Sequence, residues 1–137
     1  HMTDNKNCAG WTVMIVDDQF DNVTVAQTVL EFLGAKVHVA RNGREGLTLL
    51  EQVKPTAILL DLSMPVLNGW EMFAQLRDRA DMKHVPIIAV TAHAMDGDRH
   101  RVLEAGFDDY ISKPYDIHIL AERIQAALDK KQRVNHG

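Results

Sequence analysis

The sequence predicts an α/β fold in which five parallel strands form a doubly wound sheet with five helices on its two faces. Short apolar runs of strand length alternate with stretches whose apolar residues recur every three or four positions, the period of an α-helix. Acidic, hydroxyl or basic residues follow most of the apolar runs. Strands and helices that alternate in this way form parallel sheets with right-handed crossovers.

Composition narrows the class of protein. Of the 137 residues, 46% are hydrophobic and 25% are charged, which is typical of a single globular domain. The net charge of −4 comes without a cluster of Lys and Arg, so direct nucleic-acid binding is not expected. No apolar run approaches the ~20 residues of a membrane span, and the single cysteine, Cys8, suits a reducing compartment. We therefore expect a cytoplasmic domain that is not attached to a membrane.

The two ends of the chain are polar. His1-Met2 resembles a cloning scar, and residues 1–10 are expected to form a disordered lead-in. The folded domain is predicted over residues 11–130, with a tail at 131–137.

Two strands and two helices are predicted before the centre of the chain. The apolar run 11–16 is the first strand, and the alternating stretch 36–40 is the second, expected at the sheet edge. The helix between them is closed by Gly34, and a second helix stops before Pro55. The apolar residues of these helices lie at helical spacing: Val23, Ala26, Val29, Leu30 and Leu33 in the first, and Leu47, Leu50 and Val53 in the second.

The unbroken apolar run between Pro55 and Pro65 predicts a central strand. It is too short for a helix and lacks polar alternation, so we expect a strand buried on both faces. The run ends on Asp61, and open α/β sheets bind their ligands at the carboxyl ends of their strands. Taken alone, Asp61 could equally be a solvated turn residue.

Strand and helix continue to alternate after the centre. A third helix opens at Asn68-Gly69, and a fourth strand covers residues 86–91. A weakly amphipathic helix at 97–105, a short strand at 109–112 and a last helix complete the pattern. The residues expected to face inward are Met72, Phe73 and Leu76 in the third helix, Val102 and Leu103 in the fourth, and Ile117, Leu120, Ile124, Ala127 and Leu128 in the last.

Polar side chains lie at or just after the carboxyl ends of four predicted strands. They are Asp17-Asp18, Asp61, Thr91 and Lys113. Because the strands are parallel, these residues should converge on one edge of the sheet. Neighbouring carboxylates repel one another and need a cation, and oxygen ligands with room for water suit Mg²⁺. A lysine and a hydroxyl beside such a metal suit a phosphoryl group, which an aspartate can accept as an acyl phosphate.

Each of these residues also has an ordinary interpretation. The acid pair could cap the first helix, Thr91 could simply end a strand, and Lys113 could be an exposed lysine before a turn. Their joint position at the ends of four parallel strands favours one shared Mg²⁺ and phosphoryl site.

The chain resembles the receiver domain of two-component response regulators, of the single-domain chemotaxis and cell-cycle type. The resemblance extends from about Thr12 to Leu128 and implies a flavodoxin-like sheet with the strand order 2-1-3-4-5. Four motifs carry it: Ile15-Val16-Asp17-Asp18, Leu60-Asp61-Leu62-Ser63-Met64-Pro65-Val66-Leu67-Asn68-Gly69, Ala89-Val90-Thr91-Ala92 and Tyr110-Ile111-Ser112-Lys113-Pro114.

The resemblance implies a role for the residues at this edge. Asp61 is expected to accept the phosphoryl group, while Thr91 and Lys113 are expected to contact phosphoryl oxygens. The Lys113-Pro114 peptide bond is expected to be cis. The expected ligands of Mg²⁺ are Asp17, Asp18, Asp61 and the backbone carbonyl of Ser63.

The resemblance also implies a conformational switch. When Thr91 moves toward the phosphoryl group, Tyr110 is expected to turn inward from a half-buried resting position with a solvated hydroxyl. This movement would re-form the surface made by the fourth helix, the fifth strand and the fifth helix.

The function implied is a signalling switch that receives its phosphoryl group from a histidine kinase or a histidine phosphotransfer protein. It would catalyse only its own phosphorylation and dephosphorylation. Because no output-domain motif follows Leu128, a downstream protein is the expected target, or onward phosphotransfer the expected output.

A phosphorylation-independent receiver-like module is the alternative, although such proteins typically lack the acid pair or the lysine. An external-substrate phosphatase would usually need an added specificity segment. A flavin carrier would need a phosphate-binding loop after the first strand, where residues 17–21 have the wrong charge.

Some residues remain open to two interpretations. His93 either obstructs or orients an attacking water, or is simply exposed. Trp70 either contacts a partner or packs on the adjoining loop. The basic stretch 99–101 is either a recognition cluster or a solvated face. A histidine metal site is not expected, because His84, His93, His100 and His118 lack ligand spacing.

Overall fold

A single sheet of five parallel strands forms the centre of the computed structural model, which describes residues 7–92 and 98–136. The strand order β2-β1-β3-β4-β5 confirms the predicted topology, including the edge position of the second strand. All neighbouring strands pair in parallel. The strands are β1 Thr12–Val16, β2 Lys36–Ala40, β3 Ala57–Asp61, β4 Ile87–Thr91 and β5 Asp109–Ser112.

Five helices connect the strands. They are α1 Phe20–Phe32, α2 Gly43–Leu49, α3 Gly69–Leu76, α4 Asp98–Ala105 and α5 Leu120–His136, with a short 3₁₀ turn at Ala80–Met82. Asparagines open two of them: the Asn42 and Asn68 side chains accept hydrogen bonds from the backbone N–H groups of Glu45 and Glu71. The Glu71 carboxylate reaches back to the Asn68 N–H, completing a capping box. Within the described residues, no helix combines the length and apolarity that crossing a bilayer requires.

Helices cover both faces of the sheet, which explains the unbroken apolar run of the central strand. Successive side chains of a strand point to opposite faces, so both must be apolar where both faces are covered. β3 and β4 are buried along their whole length. One face packs against α2, α3 and α4, and its core includes Met14, Ile58, Leu60, Met72, Phe73, Leu76 and Val102. The other packs against α1 and α5, with Val13, Ile15, Leu59, Ala26, Leu30, Leu120 and Ile124.

The start of the described chain differs from the expected disordered lead-in. Residues 7–10 form a turn in which the Cys8 side chain is fully buried in the core beneath α1. The Cys8 N–H donates to the carbonyl of Leu33 at 3.0 Å, which fastens this turn to the end of α1. A small apolar side chain that fills a core position accounts for the order of these residues.

The last helix differs from its prediction at both ends. Ile117, expected on the buried stripe, is 42% exposed because it lies in a turn before α5. Asp116 holds that turn, since its carboxylate accepts the His118 N–H and its carbonyl accepts the Leu120 N–H. At the other end, α5 continues to residue 136, through residues expected to form a tail. The ion pair between Lys131 and Asp108, at 3.0 Å, holds this extension against the domain.

Candidate functional site

The carboxyl ends of the strands bring together the polar residues expected to share a site. Asp17 directly follows β1, while Asp61 and Thr91 are the last residues of β3 and β4. These three residues are 1%, 3% and 6% exposed. Their burial beside one another sets this edge apart from the solvated surface.

Lys113 joins the acids of two strands. Its ammonium nitrogen lies 3.0 Å from Asp17 Oδ1 and 2.9 Å from Asp61 Oδ2, and its side chain is only 5% exposed. The peptide bond from Lys113 to Pro114 is cis, in agreement with the sequence-based expectation. The lysine is therefore a buried counter-ion of the carboxylates.

Two further residues contact the cluster and were not identified from the sequence. The Gln19 side-chain oxygen accepts a hydrogen bond from Lys113 Nζ at 2.9 Å. The hydroxyl of Tyr115 donates to Asp17 Oδ2 at 3.4 Å. A glutamine at a helix start is an unusual capping residue, which was the available signal for Gln19. Tyr115 gave no signal beyond following the Lys113-Pro114 motif.

Burial and nearby negative charge favour the protonated form of Tyr115. Its side chain is 6% exposed. Burial first, and then the negative charges of Asp17 and Asp61, raise the pKa of the Tyr115 hydroxyl well above its ordinary value of 10.0. The hydroxyl therefore keeps its proton and remains a hydrogen-bond donor to Asp17.

Asp61 is held by donors on both of its oxygens. The N–H of Ser63 donates to Oδ1 at 3.0 Å, opposite the Lys113 contact on Oδ2. Burial raises the pKa of Asp61, and the nearby Asp17 charge adds to the rise, while the bonds from Lys113 and Ser63 oppose it. The net direction is upward, so this carboxylate is more basic than an exposed aspartate.

Gly69 allows α3 to begin directly against the end of β3. A Cβ built at Gly69 would overlap the carbonyl oxygen of Asp61 and would lie 2.8 Å from the Cα of Leu62. The Gly69 N–H donates to the Leu62 carbonyl at 3.3 Å. Only a residue without a side chain therefore fits here, and it brings the capped start of α3 beside the site.

The acidic residues suit a divalent cation. Asp17, Asp18 and Asp61 each offer a carboxylate oxygen, and these atoms lie within 4.8 Å of one another. When all three are ionised, three carboxylates against the one ammonium of Lys113 leave a formal charge of −2. Asp18 is exposed, so the cluster is open to water on that side. A hard oxygen donor set that is accessible to water is the environment that Mg²⁺ prefers.

Tyr110 differs from its expected resting position. It is 7% exposed and belongs to the core beneath α4, rather than half-buried. Tyr110 lies on the face of β5 that packs against α4, in the same core as Val102. A cavity of about 150 Å³ separates this region from the site, and Ser63, Thr91 and Tyr110 line it. His93, the other residue left open near Thr91, lies outside the described residues.

Trp70 and the basic stretch of α4 make contacts within the molecule. The half-buried Trp70 ring packs edge-on against Phe107 at 5.6 Å, and the Arg101 guanidinium lies 5.3 Å from its centroid. Arg99 lies 3.8 Å from Asp109. Trp70 therefore packs on Phe107, between α4 and β5, rather than on the adjoining loop. The side chains of Arg99 and Arg101 are 61% and 69% exposed, so the basic stretch is a solvated face whose arginines also approach Asp109 and Trp70.

Comparisons with known proteins agree with the geometry. A family model described as the response regulator receiver domain matches residues 13–125. The polar-differentiation response regulator DivK of Brucella anthropi is 38% identical over 117 residues, which cover 85% of this chain and 95% of DivK.

Solved structures show the same fold. The receiver domain of a sensor histidine kinase from Pseudomonas aeruginosa, described with a magnesium ion coordinated in its active-site cleft, is 35% identical with a TM-score of 0.78. The match covers 88% of this chain and 99% of that one. The receiver domain of a histidine kinase from Syntrophus aciditrophicus is 30% identical with a TM-score of 0.78, over 88% of this chain and 92% of that one.

Proposed function

Because this chain belongs to the response regulator receiver domain family, we propose that it is a phosphorylation-dependent signalling switch. Asp61 accepts a phosphoryl group from a histidine kinase or a histidine phosphotransfer protein. The observation that supports this most directly is the environment of Asp61: a buried carboxylate placed between Lys113 and the Ser63 N–H at the acidic edge. A carboxylate held in this way can accept a phosphoryl group as a nucleophile.

The proposed reaction has two steps at phosphorus. An oxygen of the Asp61 carboxylate attacks the phosphorus atom, and the bond from phosphorus to the donor's histidine nitrogen breaks. The imidazole leaves with the electron pair, and Asp61 becomes an acyl phosphate. Water later attacks phosphorus, which releases inorganic phosphate and restores the carboxylate. The protein thus acts only on itself.

Charge balance assigns roles to the surrounding residues. Lys113 donates a hydrogen bond to a phosphoryl oxygen in place of its bond to Asp61. Thr91, at the end of β4, donates a hydrogen bond from its hydroxyl to another phosphoryl oxygen. Asp17, Asp18, Asp61 and the Ser63 carbonyl would hold Mg²⁺. When bound, the ion supplies electrostatic stabilisation of the charge on the transferring group.

The proposed output passes through the cavity between the site and α4. Thr91 and Tyr110 both line this cavity, so a movement of the Thr91 hydroxyl toward the phosphoryl group changes the space available to Tyr110 and α4. The surface formed by α4, β5 and α5 then changes, and a downstream protein binds one of its two forms.

The first test is intact-protein mass after incubation with acetyl phosphate and Mg²⁺. The wild type should gain one phosphoryl group, and chelation of Mg²⁺ should prevent the gain. Asp61→Asn should gain nothing, while Asp78→Asn, which changes an exposed aspartate outside the site, should behave as the wild type.

Two results would contradict the proposal. An equal gain in Asp61→Asn would mean that another residue accepts the group. No gain from acetyl phosphate or from a phosphorylated histidine phosphotransfer domain would favour the alternative, a phosphorylation-independent interaction module. The intact acid pair and lysine speak against that alternative.

A further inference from the structure

We infer that Gln19 is a positioning residue that holds the Lys113 ammonium group in place for phosphoryl transfer to Asp61; this inference rests on the proposed function. A lysine ammonium has three N–H donors. Three acceptors surround it here: Asp17 Oδ1 at 3.0 Å, Asp61 Oδ2 at 2.9 Å and Gln19 Oε1 at 2.9 Å. Gln19 is the uncharged member of the three.

Gln19 is itself held at both ends. Its backbone N–H donates to Asp17 Oδ1 at 2.9 Å, which fixes the main chain against the cluster. Its side-chain oxygen also accepts a hydrogen bond from Asn22 Nδ2 at 2.7 Å. The two donors, Asn22 and Lys113, use both lone pairs of the oxygen, so the amide has one preferred orientation.

The start of α1 indicates that Gln19 is not there to cap the helix. Gln19 occupies the N-cap position with an extended backbone, but its side chain makes no hydrogen bond to the helix N–H groups. Asn42 and Asn68, at the equivalent positions of α2 and α3, both do. Glutamine is also absent from the residue types preferred at N-caps. The side chain is directed to the lysine instead.

The contact between Gln19 and Lys113 matters when Asp61 is phosphorylated. When Asp61 becomes an acyl phosphate, Lys113 exchanges its bond to Asp61 Oδ2 for one to a phosphoryl oxygen. Its bonds to Asp17 and Gln19 can persist through this exchange. Asp17 is also one of the carboxylates suited to a cation, so a bound cation would compete with Lys113 for it. Gln19 is uncharged, so its contact with Lys113 is not subject to that competition. Because the Lys113 ammonium group is already in position, it need not move when negative charge develops on the transferring phosphoryl group.

The test separates the lysine contact from helix capping. Gln19→Asn shortens the side chain by one methylene, which removes the contact with Lys113 Nζ but introduces a preferred N-cap residue. We expect the rate constant for phosphorylation by acetyl phosphate, at saturating Mg²⁺, to fall on the order of tenfold. The melting temperature should stay the same or rise, and the Mg²⁺ concentration at half-maximal rate should not change because no charge is altered.

Three further variants complete the experiment. Asn22→Ala, which frees the Gln19 amide, should lower the rate constant by about threefold. Gln19→Glu keeps an acceptor of the same length and should restore most of the rate at saturating Mg²⁺. Thr24→Ala is the matched control, since its exposed hydroxyl donates to the Phe20 carbonyl within α1 and makes no hydrogen bond to the site among the described residues.

Each outcome has a distinct meaning. A wild-type rate in Gln19→Asn would overturn the role of Gln19 and leave the proposed function standing. A loss of rate in parallel with a loss of melting temperature, or an equal loss in Thr24→Ala, would show a merely structural role and also overturn it. A wild-type protein that accepts no phosphoryl group from any donor would overturn both.

Discussion

At the scale of single residues, the site depends on one lysine. Lys113 is the buried cation that neutralises part of a group of carboxylates otherwise held together against their mutual repulsion. Removing one partner of a buried ion pair is strongly destabilising, because the remaining charges stay buried without compensation. The resting protein and the proposed phosphorylated protein therefore use the same ammonium group for different purposes.

Lys113→Met should lower the free energy of unfolding in EDTA by about 3–5 kcal/mol, because Asp17 and Asp61 lose their counter-ion. Mg²⁺ should restore more stability to this variant than to the wild type, since the three carboxylates are then uncompensated. Urea unfolding with and without Mg²⁺ measures both effects. Lys54→Met, at an exposed lysine, should show neither. An Mg²⁺ response no larger than that of the wild type would argue against a metal site at these acids.

The sequence could predict the residue types at this edge but not all of their contacts. Asp17, Asp61 and Lys113 were predictable because each lies at or just after the end of a strand that the sequence pattern indicates. Gln19 and Tyr115 reach the cluster only through side-chain directions that depend on how two loops fold. Such long-range contacts leave no periodic signal in the chain.

At the scale of elements, charged pairs fasten β5 to the helices beside it. The Arg123 guanidinium of α5 donates to both Asp109 oxygens, at 2.9 and 2.8 Å, and to the Tyr110 carbonyl at 2.7 Å. Arg99 of α4 lies 3.8 Å from the same carboxylate. Asp109 therefore links three elements of the proposed output surface.

The Asp109 pairs predict a pH dependence of stability. Burial would raise the pKa of Asp109, but hydrogen bonds from Arg123 and the Tyr110 N–H, with the Arg123 and Arg99 charges, bring it below its ordinary value of 3.8. A lowered folded-state pKa contributes stability that is present above 3.8 and is lost as the pH falls through the folded-state value. Asp109→Asn should thus destabilise the protein at pH 6, and this cost should shrink at pH below 3.8.

Urea unfolding between about pH 3 and pH 6 checks the prediction. Asp81→Asn is the control, because Asp81 also pairs with an arginine, Arg79, and also has a lowered pKa, but at the surface. Solvent screens exposed pairs, so its cost should be smaller at every pH. A cost of Asp109→Asn that does not depend on pH would mean that packing, rather than the ion pair, sets the effect.

At the scale of the whole molecule, the residue pattern predicted the alternation and layering of the elements, whereas the family resemblance implied the strand order. Alternation of strands and helices predicted the parallel sheet, and the unbroken run at 57–60 predicted its doubly covered centre. The local departures have a common cause. Cys8 and Tyr110 are buried, and Ile117 is exposed, because neighbouring segments decide whether those positions are covered. Apolar character in the sequence could not supply that information.

The two tryptophans lie at opposite ends of the sheet and should report differently on phosphorylation. Trp70 lines the cavity beside Thr91 and contacts Phe107 and Arg101, so a shift of α4 changes its surroundings. Trp11 precedes β1, at the amino end of the sheet. The fluorescence of Trp11→Phe, which retains Trp70, should change on adding acetyl phosphate and Mg²⁺. Trp70→Phe should respond little, and an equal response would place the conformational change elsewhere.

The last helix, α5, would set the direction in which an attached protein points. α5 is 17 residues long, which corresponds to about 25 Å, and its first turns are anchored to β5 through Arg123. Each residue of a helix turns the next by about 100°, so a reporter protein joined in continuous helix after α5 would point in a direction set by the number of joining residues. Insertion of one residue would rotate the reporter by about 100° around the helix axis. Insertion of seven residues would return it to nearly its original orientation. Helical phase, rather than distance alone, would then determine how a motion of α5 is read by an attached reporter.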